Sequence, residues 1–134
     1  MLYKTDDIKK LGTILGIWAH PDDESWCMAG VLAAARANGQ RVVCVTATRG
    51  DAGMTSDEAR WPQAKLGEIR EQELLDSLEI LGVSEHFWLD YKDGMLNQVD
   101  KAQAYNELLE IIKTINPDSI FSFGSDGLTG HTDH

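Results

Sequence analysis

Four chemically able residues, His20, Asp22, Asp23 and Glu24, fall in the five-residue stretch "HPDDE". A second cluster, His131, Asp133 and His134, lies in "GHTDH" at 130–134. Carboxylates this close repel one another unless a cation sits among them. Two imidazoles and a carboxylate make a ligand set typical of catalytic zinc, which keeps a fourth position for water. A plainer reading has Asp22 or Asp23 capping a following helix, with Glu24 favoured by the helix dipole. That cap uses one carboxylate and leaves His20 and the second aspartate idle, so the two clusters taken together favour a metal site.

His20 and Asp23 lie three apart across a turn stiffened by Pro21, so both can point at one ion. Asp22, adjacent to Asp23, should aim elsewhere, toward the water that the ion holds. His131 and His134 are also three apart: one can complete the site while the other faces a substrate. Zinc lowers the pKa of its water from about 15.7 to about 7. Asp22 could take the remaining proton, and a protonated His131 could stabilise an oxyanion or protonate a leaving amine.

Positioning these clusters requires two distant loops to meet. Residues 13–19, 41–48, 86–90 and 118–123 read as short apolar strands. Between them lie helical stretches at 24–40, 65–83 and 101–116, the first stopped by Gly39 and the last by Pro117. In the helix at 65–83, Leu66, Ile69, Leu74, Leu78 and Leu81 fall on or near one face. Strands alternating with helices, and apolar throughout, predict an α/β fold with a parallel sheet covered on both faces. In the doubly wound order 3-2-1-4, the first and fourth strands are neighbours, and ligands bind outside their carboxyl ends. The loops leaving those two strands are "HPDDE" and "GHTDH".

"AHPDDE" followed much later by "GHTDH" resembles the LmbE-like, or PIG-L-like, N-acetylglucosaminyl deacetylases, with Thr132 where proline is usual. The resemblance runs through nearly the whole chain and implies a zinc-dependent enzyme on a Rossmann-like fold that removes acyl groups from amino sugars and related amides. It implies His20, Asp23 and His134 as zinc ligands, Asp22 as general base and His131 as electrostatic or acid partner. Asp133 takes the place of the acid that orients the first histidine of the pair, and Arg70 that of an arginine near the substrate. It further implies that residues 1–134 are a single domain, the N-terminal part of a longer one, truncated after His134 so that apolar sheet surface lies bare.

Composition narrows the partners. Twelve basic against 22 acidic residues give a net charge of −10, which repels nucleic acid and anionic lipid. No stretch approaches the roughly 20 apolar residues of a membrane span, and the start lacks a signal-peptide core, so a cytoplasmic location is expected. Cys27 and Cys44 read as reduced, buried thiols. Trp18, Trp26 and Trp88 read as core and His86 as a surface residue, whereas Trp61, in the acidic loop at 49–62, is the candidate for stacking on a sugar. "TRGDAG" at 48–53 reads as a substrate-facing loop. The bare sheet face makes a homo-oligomer plausible.

Two rival functions remain. A magnesium-dependent phosphoryl-transfer or receiver-type domain would use the acid pair, but magnesium prefers oxygen ligands over histidine and no GxxxxGK[ST] loop is present. A non-catalytic sugar-binding module would keep the fold without the chemistry.

Overall fold

The structure, a computed structural model, describes residues 5–134. The strands β1 (Ile14–Trp18), β2 (Val42–Thr48), β3 (Glu85–Tyr91) and β4 (Ser119–Phe121) form one parallel sheet in the order β3-β2-β1-β4, as the sequence predicts. The helices are α1 (Thr5–Ile8), α2 (Asp23–Ala37), α3 (Leu66–Leu81) and α4 (Lys101–Ile115).

Successive strand residues point to opposite faces. Ile14, Val42 and Cys44 pack with Leu32 and Ala35 of α2 and with Leu74 and Leu78 of α3. Leu15, Val43 and Val45 face the other way, onto Leu108, Ile111, Ile112 and Ile115 of α4. All seven residues of β2 are buried, which is why its sequence reads as one apolar run. Leu15 pairs in register with Ile120 of β4, and Ile120 is 48% exposed.

Helix ends follow local chemistry. Asp100 caps α4 by accepting from the backbone N–H of Ala102 and Gln103. Asn116, left-handed at φ 50°, ends the helix just before Pro117. No side chain caps α2, so neither aspartate plays the part that the plainer reading gave it.

Three expectations about burial are corrected. Trp26 is 85% exposed and Cys27 is exposed. Glu24, Leu32 and Ala35 are among the buried residues of α2, and Trp26, two residues past Glu24, lies about 200° round the helix from it and turns outward. His86, expected at the surface, is half-buried in β3 with its Nε2 2.9 Å from Thr46 Oγ1 and its ring edge-on to Trp88. Trp18 is core as expected, and Trp88 packs against the core half-buried beneath the Arg49 guanidinium.

Burial, followed by the nearby Arg49 charge, lowers the His86 pKa from 6.5 to about 4. A base depressed in this way adds stability that is fully present above pH 6.5 and is lost as the pH falls toward 4. Denaturation midpoints measured from pH 7.5 to 4 should therefore fall more steeply for wild type than for His86→Gln. Parallel profiles would show that His86 does not titrate with folding.

Candidate metal centre and active site

The register of β1 on β4 delivers both histidine-bearing loops to one edge of the sheet. The turn after β1 is fixed from β2, where Thr48 donates to the Ala19 carbonyl through its N–H (3.0 Å) and through Oγ1 (2.9 Å). His20 and Asp23 are buried there, and the His20 N–H donates to Asp23 Oδ2 at 2.9 Å. From the other loop, His134 stacks on Phe123 with ring centroids 3.9 Å apart.

Two imidazole nitrogens and the Asp23 carboxylate converge. His20 Nδ1 lies 3.3 Å from His134 Nε2, His134 Nε2 lies 3.5 Å from Asp23 Oδ1, and His20 Nδ1 lies 3.7 Å from Asp23 Oδ2. The far nitrogen of each imidazole already has an acceptor. His20 Nε2 faces Asp93 Oδ1 at 3.1 Å and Asp133 Oδ2 at 3.2 Å. His134 Nδ1 faces Thr129 Oγ1 at 2.7 Å and the Gly127 carbonyl at 3.2 Å. These partners assign the ring protons to the far nitrogens, so two lone pairs and a carboxylate point at one another. In a tetrahedral zinc site with bonds of about 2.0–2.2 Å, ligand atoms sit about 3.3–3.6 Å apart; the two nitrogens meet that spacing, whereas Asp23 reaches His134 through Oδ1 and His20 through Oδ2. His131, exposed at the mouth, can also bring a nitrogen within 4.8 Å of those of His20 and His134.

Asp22 points away from this triad. Its backbone is left-handed (φ 97°), its N–H donates to Glu24 Oε2 at 3.2 Å, and its Oδ2 accepts from Arg70 Nη2 at 2.9 Å. Partial burial raises its carboxyl pKa, with the Arg70 charge opposing. Arg70 also donates to the carbonyls of Pro21 (2.6 Å) and Gly50 (3.1 Å). The side chain expected to face a substrate is thus a strut between the loops after β1 and β2. A cavity of about 680 Å³ opens over the triad and is walled by Asp22, Arg70, His131 and Gly53 among others.

Asp133 was paired with His131 on the family resemblance. Its carboxylate instead accepts from His20 and from the N–H of Gly94 (2.7 Å) and Leu96 (3.1 Å), and only its backbone N–H reaches His131 Nδ1 (3.2 Å). Asp93 went unnoticed in the sequence. It is buried, touches His20 and accepts from the Ala52 N–H at 2.7 Å. The signal was present in "KDG", an acid and a turn glycine at the carboxyl end of the third strand. Cys27 lines the cavity, but burial and then the charges of Asp23, Asp22 and Glu24 raise its pKa, which leaves it a poor nucleophile. Burial pushes Cys44 up to about 12.

Residues 15–134 match the model of the family PIG-L: GlcNAc-PI de-N-acetylase. The chain belongs to this family. It is 34% identical over 143 residues to 1D-myo-inositol 2-acetamido-2-deoxy-alpha-D-glucopyranoside deacetylase of Corynebacterium efficiens, covering 90% of this chain and 45% of that protein. Its fold is similar to that of N,N'-diacetylchitobiose deacetylase from Pyrococcus horikoshii, with a TM-score of 0.81, 29% identity, and coverage of 95% of this chain and 46% of that one. A 4-carboxy-2-hydroxymuconate hydratase from Pseudomonas putida shares the fold at a TM-score of 0.77 and 21% identity, covering 92% of this chain and 51% of its own. The chain spans about half the length of the curated relatives it matches. Among the described residues no helix is long and apolar enough to cross a membrane.

Gly50 allows the Arg70 strut. Its φ is +65°, and a Cβ there would overlap the guanidinium. Gly39, at φ +80° with open space around it, is the matched control. Gly39→Ala should cost about 1 kcal/mol of unfolding free energy and Gly50→Ala clearly more. Equal losses by urea denaturation would show that Arg70 yields freely.

Proposed function

We propose that the protein hydrolyses the amide of an N-acylated amino sugar or related glycoside, using a divalent cation, zinc, held by His20, Asp23 and His134. The observation that carries this reading is the meeting of two imidazole lone pairs and a carboxylate, 3.3–3.7 Å apart, at the floor of a cavity. Fold alone would not choose the reaction, since a hydratase shares it. The residue set supports amide hydrolysis, together with relatives named as deacetylases.

When bound, the cation supplies Lewis acidity that polarises an amide carbonyl and acidifies water. Asp22 acts as general base and takes a proton from the attacking water, and its raised pKa suits that task. His131, at the cavity mouth, donates to the carbonyl oxygen as it gains negative charge. The proton collected by Asp22 passes to the departing amine. Asp133 and Asp93 act one step back by fixing the His20 ring. Arg70 holds Asp22 in place and borders the substrate. Both cysteines are free thiols, which supports a cytoplasmic setting.

Elemental analysis should find about one zinc per chain, and chelation should abolish amine release from N-acetylglucosaminides until zinc is restored. Magnesium alone in that role would favour the phosphoryl-transfer reading. Asp22→Asn should retain zinc yet lose turnover by orders of magnitude, and His131→Ala should lose about 10²–10³-fold. Asp133→Ala should weaken zinc binding about 10–100-fold in a competitive chelator titration. Full turnover in Asp22→Asn would remove it as the base.

A further inference from the structure

His20 and His134 are held by unlike surroundings. Two carboxylates, those of Asp93 and Asp133, face the far nitrogen of His20. The partners of His134 Nδ1 are the Thr129 hydroxyl and the Gly127 carbonyl, both uncharged. What His134 has instead is an aromatic face: its ring lies on that of Phe123, with centroids 3.9 Å apart and planes 13° from parallel. The His134 side chain is only 6% exposed, so water screens this contact little.

Strand register puts the phenyl ring there. β1 and β4 pair as Ile14 with Ser119 and Gly16 with Phe121, and the next step of that alternation sets Trp18 beside Phe123. The Trp18 indole, buried in the core, meets the Phe123 ring at 79° with centroids 5.7 Å apart. Phe123 thus touches a core tryptophan and the imidazole at once.

Two neutral rings would not choose this stack. Aromatic faces are negative and edges positive, so uncharged pairs favour offset or edge-on packing over superposition. Carbon atoms in contact sit about 3.5–4.0 Å apart, which leaves nearly parallel rings at this separation little room for offset. The preference reverses when one ring is positive, because a cation gains by facing an aromatic ring within about 6 Å of its centre. An imidazole whose lone pair enters a dication becomes electron-poor in this way.

We propose that Phe123 is a positioning residue for the metal centre, fixing the plane of His134 and favouring the imidazole in its metal-bound state. The inference rests on His134 being a ligand. It gives the second imidazole a polarising partner where the first has carboxylates.

In competitive chelator titrations, Phe123→Leu, which keeps apolar bulk, should bind zinc about tenfold more weakly than wild type. Phe123→Tyr, which keeps the ring face, should match wild type. Undiminished affinity in Phe123→Leu, or an equal loss in both variants, overturns the proposal. Wild type alone supplies a second readout: in the zinc-loaded protein the His134 ring protons should resonate upfield of those of a zinc-bound free imidazole, shielded by the phenyl face. Ring protons without that shift would show that the stack does not form, and would overturn the proposal as well. Failure of the metal reading would look different, since wild type itself would then take up no zinc, removing His134 as a ligand and this role of Phe123 with it.

Discussion

Two imidazole lone pairs and a carboxylate facing one another at 3.3–3.7 Å form an arrangement that proteins assemble for a cation. Without positive charge these groups would part, because desolvated acceptors gain nothing from one another. What opposes their parting is the far side of each ring. Asp93 and Asp133 hold the outer nitrogen of His20, while Gly127 and Thr129 hold that of His134. Each ring is thereby turned with its basic nitrogen inward, and the electrostatic strain of the triad is carried by acceptors drawn from the loops after β3 and β4.

Those acceptors exist in the right places because four strands end along one edge. The Thr48–Ala19 bonds join the loops after β1 and β2, and Arg70 joins the same two loops from α3. Asp93 joins the loops after β3 and β2 through the Ala52 N–H. Asp133 joins the β4 loop to the β3 loop through Gly94 and Leu96. Each of the four loops along the edge is thus tied to another by a polar side chain. Fold stability and site geometry depend on the same bonds.

The strand order was legible because burial on both faces leaves runs such as "VVCVTAT" uniformly apolar. The meeting of His20 with His134 followed from that order. What resisted reading were matters of rotation and of partners. Trp26 and Cys27 look like core by composition, yet the phase of α2 is set by where Glu24 is buried. His86 looks like a surface histidine, yet its strand position places it against Thr46. Asp133 stands between two histidines in sequence, yet its carboxylate serves a third, 113 residues away. Sequence proximity names candidates for contact, and only the turn geometry chooses among them.

Asp22 and Asp23 show that choice at its sharpest. Adjacent acids on an ordinary turn would compete for one ion, and their mutual repulsion would weaken the site. The left-handed backbone of Asp22, uncommon for a side chain other than glycine and costing about 1–3 kcal/mol, separates them. It leaves Asp23 with the two histidines and delivers Asp22 to Arg70. Glu24, fully buried, accepts the Asp22 N–H and so holds the unusual turn from below, with burial raising its own pKa. The local strain therefore has an identifiable product. One carboxylate is turned away from the two histidines and kept at the cavity wall, paired with Arg70.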